Sequence, residues 1–395
     1  MEIITRFEQY RESALNNRFF KHADLQNLLK KLNPEIFHLR EVGQSVEGRS
    51  ISLVKVGTGK KRIFLWSQMH GDEPTATMAL FDFFNFLVAD DEFNPLRQAI
   101  LENCTLYILP MVNPDGAEIF TRRNAQGIDI NRDFKHQQSP EGRLLRKLRD
   151  EIQPEFGFNL HDQGPVWSAG KSGLPATISL LAPPFDEAVS VNPVRQKAMQ
   201  VISYTYKKLQ QVLPNHTARF SDEYESRAFG DNFQAAGTST ILIEAGSYAH
   251  DPEKQHIRKF IFRAILSGLE CIANNTYQQE TEADYSIIPQ NDKRHFHILI
   301  KNAQINLGTI SYQSDIGLIA LQELNNDRRS VSYTYLVEDL GDLENYFGYE
   351  TLDASSYKFI LTRPLEHQQP ADFILQDGFS TILSIENGRI TNKNF

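Results

Sequence analysis

The chain has 395 residues, 41% of them hydrophobic and 23% charged, with 22 Gly and 17 Pro; at roughly 100–200 residues per domain this predicts two folded domains and excludes a disordered, collagenous or low-complexity chain. Lysine and arginine total 41 against 50 aspartates and glutamates, and the net charge of -9 gives no global attraction to nucleic acid or to an anionic membrane, so neither is an expected partner. Two cysteines, Cys104 and Cys271, are too few for a disulfide framework or a four-cysteine zinc site and read as buried thiols.

The chain opens Met-Glu-Ile-Ile-Thr-Arg-Phe-Glu, with no apolar signal core. Its longest run free of Asp, Glu, Lys and Arg is the fourteen residues from Ser172 to Phe185, short of the roughly 18–20 that cross a bilayer. A cytoplasmic location is the expectation. Residues 5 to 32 alternate charged and apolar side chains in helical fashion until Pro34, which makes 1–40 a helical lead-in. Short apolar runs bounded by turn residues then predict strands at Ile51–Val56, Arg62–Gln68, Cys104–Val112, Phe156–His161, Ala176–Ala182 and Thr240–Ala245. Helical segments lie between them at Thr75–Ala89, Pro140–Ile152, Pro193–Leu213 and Pro252–Asn274. That alternation predicts an α/β domain over 41–282, a parallel or mixed sheet flanked by helices, with any site at the carboxyl ends of its strands. Beyond Glu282 the pattern changes to two-residue alternation, at Phe296–Ile300 and Val331–Val337, with hairpin signals at Asp377-Gly378 and Asn387-Gly388. Residues 283–395 read as a small all-β domain, with His295 and His297 on the exposed face of a strand.

The first strand-end signal is Met69-His70-Gly71-Asp72-Glu73-Pro74. An imidazole and a carboxylate three residues apart can meet one metal ion, with Gly71 allowing a tight turn; the competing reading is a helix start with Glu73 at the positive end of its dipole. His161 ends the apolar run Phe156-Gly-Phe-Asn-Leu-His, where a sheet would deliver it to the same rim. Two histidines and one glutamate leave a fourth zinc position open, the arrangement of a catalytic site. Between them, Asn113-Pro-Asp-Gly leads into a loop carrying Arg122, Arg123, Asp129, Asn131 and Arg132. Arginine and asparagine suit a carboxylate, although spacing alone does not separate such a clamp from a solvated basic loop. Glu244, in Thr240-Ile-Leu-Ile-Glu-Ala-Gly-Ser, ends an apolar strand, where a carboxylate is either salt-bridged or has a chemical task.

Taken in order, His70-x-x-Glu73, Asn113-Pro-Asp-Gly, Asp129-Ile-Asn131-Arg132-Asp-Phe, His161 and Glu244 resemble the zinc carboxypeptidases of the carboxypeptidase A type over roughly Glu41 to Gly268. The resemblance implies one zinc ion held by His70, Glu73 and His161. Asp129 would bind the other ring nitrogen of His70, and Asn131 and Arg132 would hold the terminal carboxylate of the substrate. Arg122, or its neighbour Arg123, would stabilise the oxyanion, and Glu244 would be the general base that takes a proton from the water zinc activates. Tyr224, with Tyr248 as second candidate, would cap the substrate. Two departures leave the substrate open: Asp162-Gln163 follow the third ligand where many members carry Ser, and Asp231 either favours a basic residue in the side-chain pocket or accepts a structural hydrogen bond. The implied reaction is hydrolysis of the C-terminal amide of a peptide. On the same scaffold, deacylation of acyl-amino acids or cleavage of peptidoglycan peptides is the alternative, and a non-catalytic binding protein the third reading. The expected partner is a peptide or acyl-amino acid with a free carboxylate; the sequence does not fix an oligomeric state.

Overall fold

The computed structural model describes residues 3–395 and divides into two compact units. Unit 1 runs to Gly164 and resumes over Ala176–Asn291; unit 2 is Pro165–Pro175 with Asp292–Phe395. The chain therefore passes between them three times.

In unit 1 the N-terminal stretch is broken into α1 (Phe7–Tyr10) and α2 (His22–Leu29), and Phe7, Tyr10, Phe20, Leu25 and Leu29 are buried in the main core. Strands β1 (His38–Gln44), β2 (Ser50–Val56), β3 (Lys61–Ser67), β4 (Cys104–Leu109) and β5 (Phe156–Asp162) follow. After β6 (Trp167–Ala169), which falls in unit 2, β7 (Ile178–Leu181), β8 (Thr217–Arg219) and β9 (Ser239–Ala245) complete the sheet of unit 1. Its eight strands are ordered β1-β2-β4-β3-β5-β9-β7-β8. The four central strands β4, β3, β5 and β9 are parallel, while β1, β2 and β7 join antiparallel. From β3 the chain crosses first to β4 on one side and later to β5 on the other. The carboxyl ends of β3 and β5 thus flank a switch point, where open α/β sheets leave a crevice for a ligand.

The helices are α3 (Thr75–Val88), α4 (Asn94–Asn103), α5 (Pro114–Glu118), α6 (Pro140–Ile152), α7 (Pro193–Gln210), α8 (Phe229–Ala235), α9 (Gln255–Asn274) and α10 (Glu282–Ser286). Because strand side chains alternate between faces, each central strand feeds two cores. Ile63, Leu65, Phe156, Phe158, Leu160, Ile241 and Ile243 pack with α3, α7 and α9. Phe64 and Trp66 pack on the other face with Leu144, Leu145 and Leu148 of α6 and Phe229 and Phe233 of α8. His161 and Glu244 are one residue out of phase with the first set, so they belong to the α6/α8 face, and Asp162 and Ala245 to the α3/α9 face.

Unit 2 is all-β. In it β10 (Asn291–Lys293) pairs with β6; β11 (His295–Leu307), β12 (Ile310–Leu324), β13 (Val331–Gly341) and β14 (Phe347–Asp353) form one sheet, and β15 (Lys358–Leu361), β16 (Phe373–Asp377), β17 (Ser380–Glu386) and β18 (Arg389–Lys393) another. Ile298, Ile300, Ile316, Leu318 and Val337 of the first sheet share one core with Phe359, Phe373, Leu375 and Leu383 of the second. Asn387 and Gly388 both have positive φ (49° and 76°), the hairpin geometry their dipeptide predicts. The exposed-face reading of the two histidines is corrected: His295 is buried, its ring beside those of Phe347 and Tyr349. His297 is half-buried and accepts a hydrogen bond at Nδ1 from Ala320 N–H, and burial lowers its pKa to about 4. Alternation alone could not show this, because strand β11 is covered on both faces. Among the described residues no helix is long and apolar enough to cross a membrane.

Candidate active site

His70 lies three residues beyond the end of β3, where the chain turns through Gly71 and Asp72 toward α3. Glu73 immediately precedes Pro74, the N-cap of α3. Gly71 is required here by close approach and not by a left-handed turn: a Cβ on it would lie 2.0 Å from the backbone carbon of Gly116 in α5. β5 then delivers His161, and β9, directly opposite in register, delivers Glu244. All four residues are buried.

His70, Glu73 and His161 form a cluster whose ligand atoms lie within 4.8 Å of one another. Glu73 spans the two imidazoles, with Oε1 2.8 Å from His70 Nδ1 and Oε2 2.7 Å from His161 Nδ1. His70 Nε2 lies 3.1 Å from Asp129 Oδ1, so each ring nitrogen of His70 faces a carboxylate, and a proton kept on Nε2 by Asp129 would leave Nδ1 available to a metal ion. Arg122 borders the cluster: Nε donates to Asp129 Oδ2 at 2.9 Å, and Nη1 stands 3.1 Å from His70 Nδ1 and 3.2 Å from Glu73 Oε1. Arg123 instead donates to Gly127 O within its own loop.

Electrostatics follow from this packing. Against the penalty of burial, the charges of His70 and His161 hold Glu73 well below the usual carboxylate range. Burial also opposes a charge on His70, but Glu73 and Asp129 outweigh it and lift its pKa to about 9. His161 has no second acceptor, and burial lowers it. Burial and the charge of Glu73 push neighbouring Asp72 up to about 6.

The donor set fits a divalent metal. Two imidazole nitrogens and a carboxylate oxygen are zinc ligands, and three of them leave a position open. Glu73, Asp129, Glu244 and the side chain of Asp162 are buried carboxylates, and the cations paired among them are Arg122 and Lys254. Glu244 Oε2 and His161 Nε2 are buried without a hydrogen-bond partner, the condition of groups that await a ligand rather than serve the fold.

The other sequence candidates lie around this centre. Asp129 caps the 3-10 turn Ile130–Arg132 by accepting from Asn131 N–H at 2.9 Å. Asn131 Oδ1 accepts from Phe229 N–H at the start of α8, and Arg132 Nε pairs with Glu225 at 3.1 Å. Tyr224 makes no contact with the cluster; burial and the charge of Asp231 raise its pKa. Tyr248 packs between His216 and His256. Asp231 accepts from Glu225 N–H at 3.0 Å, the structural hydrogen bond. Sequence reasoning missed the partners of Asp162: Thr75 Oγ1 donates to its Oδ2 at 2.5 Å and Lys254 Nζ at 3.1 Å. The one signal available was the acidic residue directly after His161.

A mixed α/β sheet thus carries, at its switch point, a buried His–Glu–His cluster able to hold a metal ion. Residues 23–172 match the family model described as zinc carboxypeptidase. Carboxypeptidase SOL1 of Arabidopsis thaliana is 33% identical over 135 residues, covering 32% of this chain and 28% of that protein. Carboxypeptidase E of Caenorhabditis elegans is 31% identical over 149 residues, covering 32% and 31%. The chain thus spans less than a third of the length of these relatives. Among solved structures, a metallo-carboxypeptidase from Burkholderia cenocepacia aligns with a TM-score of 0.50 and 20% identity over 65% of this chain and 69% of that one. Bovine thrombin-activatable fibrinolysis inhibitor, solved with a tick carboxypeptidase inhibitor, aligns at 0.54 and 15% over 68% of this chain and 100% of its own. Both share the fold. Glu244 lies outside the residues matched to the family model.

Proposed function

We propose that the chain is a zinc-dependent carboxypeptidase that removes single residues from the carboxyl end of peptides. The observation that carries this reading is Glu244, buried and unpartnered at Oε2 and in register with His161 beside the His70–Glu73–His161 cluster. Zinc held by those three residues supplies Lewis acidity, which acidifies water and polarises a carbonyl. Glu244 is the general base. Burial first, and the charge of Glu73 second, push its pKa well above the usual carboxylate range, and a more basic carboxylate, once ionised, is the stronger proton acceptor. It takes a proton from the attacking water and returns it to the leaving nitrogen.

Arg122 is the donor for the developing oxyanion. Its half-exposed guanidinium is oriented by Asp129 and reaches the cluster through Nη1, a fixed dipole placed before charge develops. Asn131 and Arg132 hold the terminal carboxylate, which takes the place of Glu225 on Arg132. Tyr224 covers the bound residue. The carboxypeptidase names of the related proteins support the same reading.

The test is mass spectrometry of a mixed short-peptide pool after incubation with the zinc-loaded protein, beside Glu244→Gln and a pool with amidated termini. Loss of single C-terminal residues from free termini is expected. Glu244→Gln should keep one zinc per chain and lose about 10²–10⁴-fold in turnover. Full activity in that variant removes Glu244 as the base, and indifference to amidation moves the substrate to acyl-amino acids or cell-wall peptides.

A further inference from the structure

Behind the zinc ligands, on the α3/α9 face of the sheet, lies a buried ion pair that the proposed reaction does not use. Lys254 stands at the N-cap of α9 with a left-handed backbone (φ 52°), and its side chain is 12% exposed against 6% for Asp162. Lys254 Nζ donates to Asp162 Oδ2 and to Ala245 O, both at 3.1 Å. Thr75 Oγ1 donates to the same Asp162 oxygen, and Asp162 N–H donates forward to Glu73 Oε2 at 3.2 Å.

Each partner sits beside a residue of the site. Asp162 follows His161, Ala245 follows Glu244, and Thr75 is two residues past Glu73. Asp162 and Ala245 are themselves paired across β5 and β9. One ammonium and one carboxylate therefore fasten together the three chain segments that carry Glu73, His161 and Glu244, from the face opposite the side chains of His161 and Glu244. A buried lysine is costly unless such a network is satisfied, and partners of this kind tune the ligands they orient.

We infer that Lys254, acting through Asp162 and Ala245, is a positioning residue that sets the spacing of Glu73, His161 and Glu244 for the metal. The inference rests on the metal-site reading and not on any particular substrate, so its test uses metal binding alone. Zinc affinity is measured by competition with a chromogenic chelator, and the visible absorption of the cobalt-substituted protein is recorded, for the full chain and for Lys254→Met, Lys254→Arg, Asp162→Asn and Lys254→Met with Asp162→Asn.

Lys254→Met should weaken zinc binding about 10- to 100-fold and alter the cobalt spectrum. Lys254→Arg, which keeps the charge, should recover most of the affinity. Asp162→Asn should produce a similar shift, and the double variant no more than the larger single, since both remove one connection. If Lys254→Met binds zinc as the unsubstituted protein does, with the same cobalt spectrum, the inference is overturned. Should that variant not fold, Asp162→Asn decides on the same two readouts. A protein that binds zinc as described but cleaves no peptide would count against the carboxypeptidase reading and leave this inference standing.

Discussion

At Gly71 a hydrogen in place of a methyl group lets the turn between His70 and Glu73 pass against α5. Because the missing Cβ would lie 2.0 Å from the backbone of Gly116, Gly71→Ala has to displace either α5 or the ligand loop. Zinc affinity should fall on the order of 10–100-fold, measured by chelator competition; wild-type affinity would show that α5 yields instead. Asp231 gives a prediction with a pH sign. Burial lifts it from 3.8 to about 6, so its contribution to stability is full below its ordinary pKa and lost as pH rises through about 6, above which an ionised carboxylate sits in the interior. Asp231→Asn keeps an acceptor for Glu225 N–H. It should leave stability near about pH 4 unchanged and raise it by on the order of 1–3 kcal/mol at about pH 8. Urea unfolding at both pH values measures this; an equal gain at both would mean that ionisation is not the cause.

At the scale of elements, α3 and α9 are joined by a fully buried ion pair. Arg258 donates to both oxygens of Asp82, from Nε at 2.6 Å and Nη2 at 2.5 Å. Its remaining hydrogens bind the carbonyls of Glu12 and Leu15 and the side-chain oxygen of Gln255, and Glu12 N–H returns a bond to Asp82. The irregular segment between α1 and α2 is thus held by the same pair that locks the two helices behind β3 and β5. Asp82→Asn strips the charge from one partner and leaves a buried guanidinium uncompensated, a loss of about 3–5 kcal/mol readable as a lower urea midpoint. A loss under about 1 kcal/mol would mean that packing of the helices, not the pair, sets their position.

Much of this level could be read from the chain. Strands Ser50–Val56, Lys61–Ser67, Cys104–Leu109, Phe156–Asp162 and Ser239–Ala245 coincide with apolar runs because these inner strands, antiparallel β2 and the four parallel ones, are covered on both faces. β1 could not be read so: at the edge of the sheet most of its residues are exposed and its sequence, His-Leu-Arg-Glu-Val-Gly-Gln, carries no run. Short α8 escaped for a related reason, since seven residues give too few turns for a periodic signal, although it supplies Phe229 and Phe233 to the core beneath the site.

On the scale of the molecule, the excursion Pro165–Pro175 leaves unit 1 three residues after Asp162 and returns through Ala176 just before β7. Its backbone partners come from late in the chain: β6 pairs with β10, and Val166 O accepts from Arg294 and His295 N–H. Ending the chain after Asn291 removes those donors. Hydrogen exchange over 165–175 should then lose its protection while β5 and β9 keep theirs. Unchanged protection in the excursion would show that it holds its shape without residues 292–395.

The sequence by itself determined the alternation of strands and helices, the change to an all-β end, and the residue types able to bind a metal. Each of these is written in local spacing, which apolar periodicity and a three-residue His–Glu interval are enough to specify. Only the tertiary structure decided that Arg122 and not Arg123 borders the cluster, that His295 is buried, that Gly71 is a contact with Gly116, and that Asp162 answers to Lys254. Those outcomes depend on which face of a strand a side chain occupies and on partners up to about ninety residues away, and such pairings come into being when the parallel strands are laid side by side.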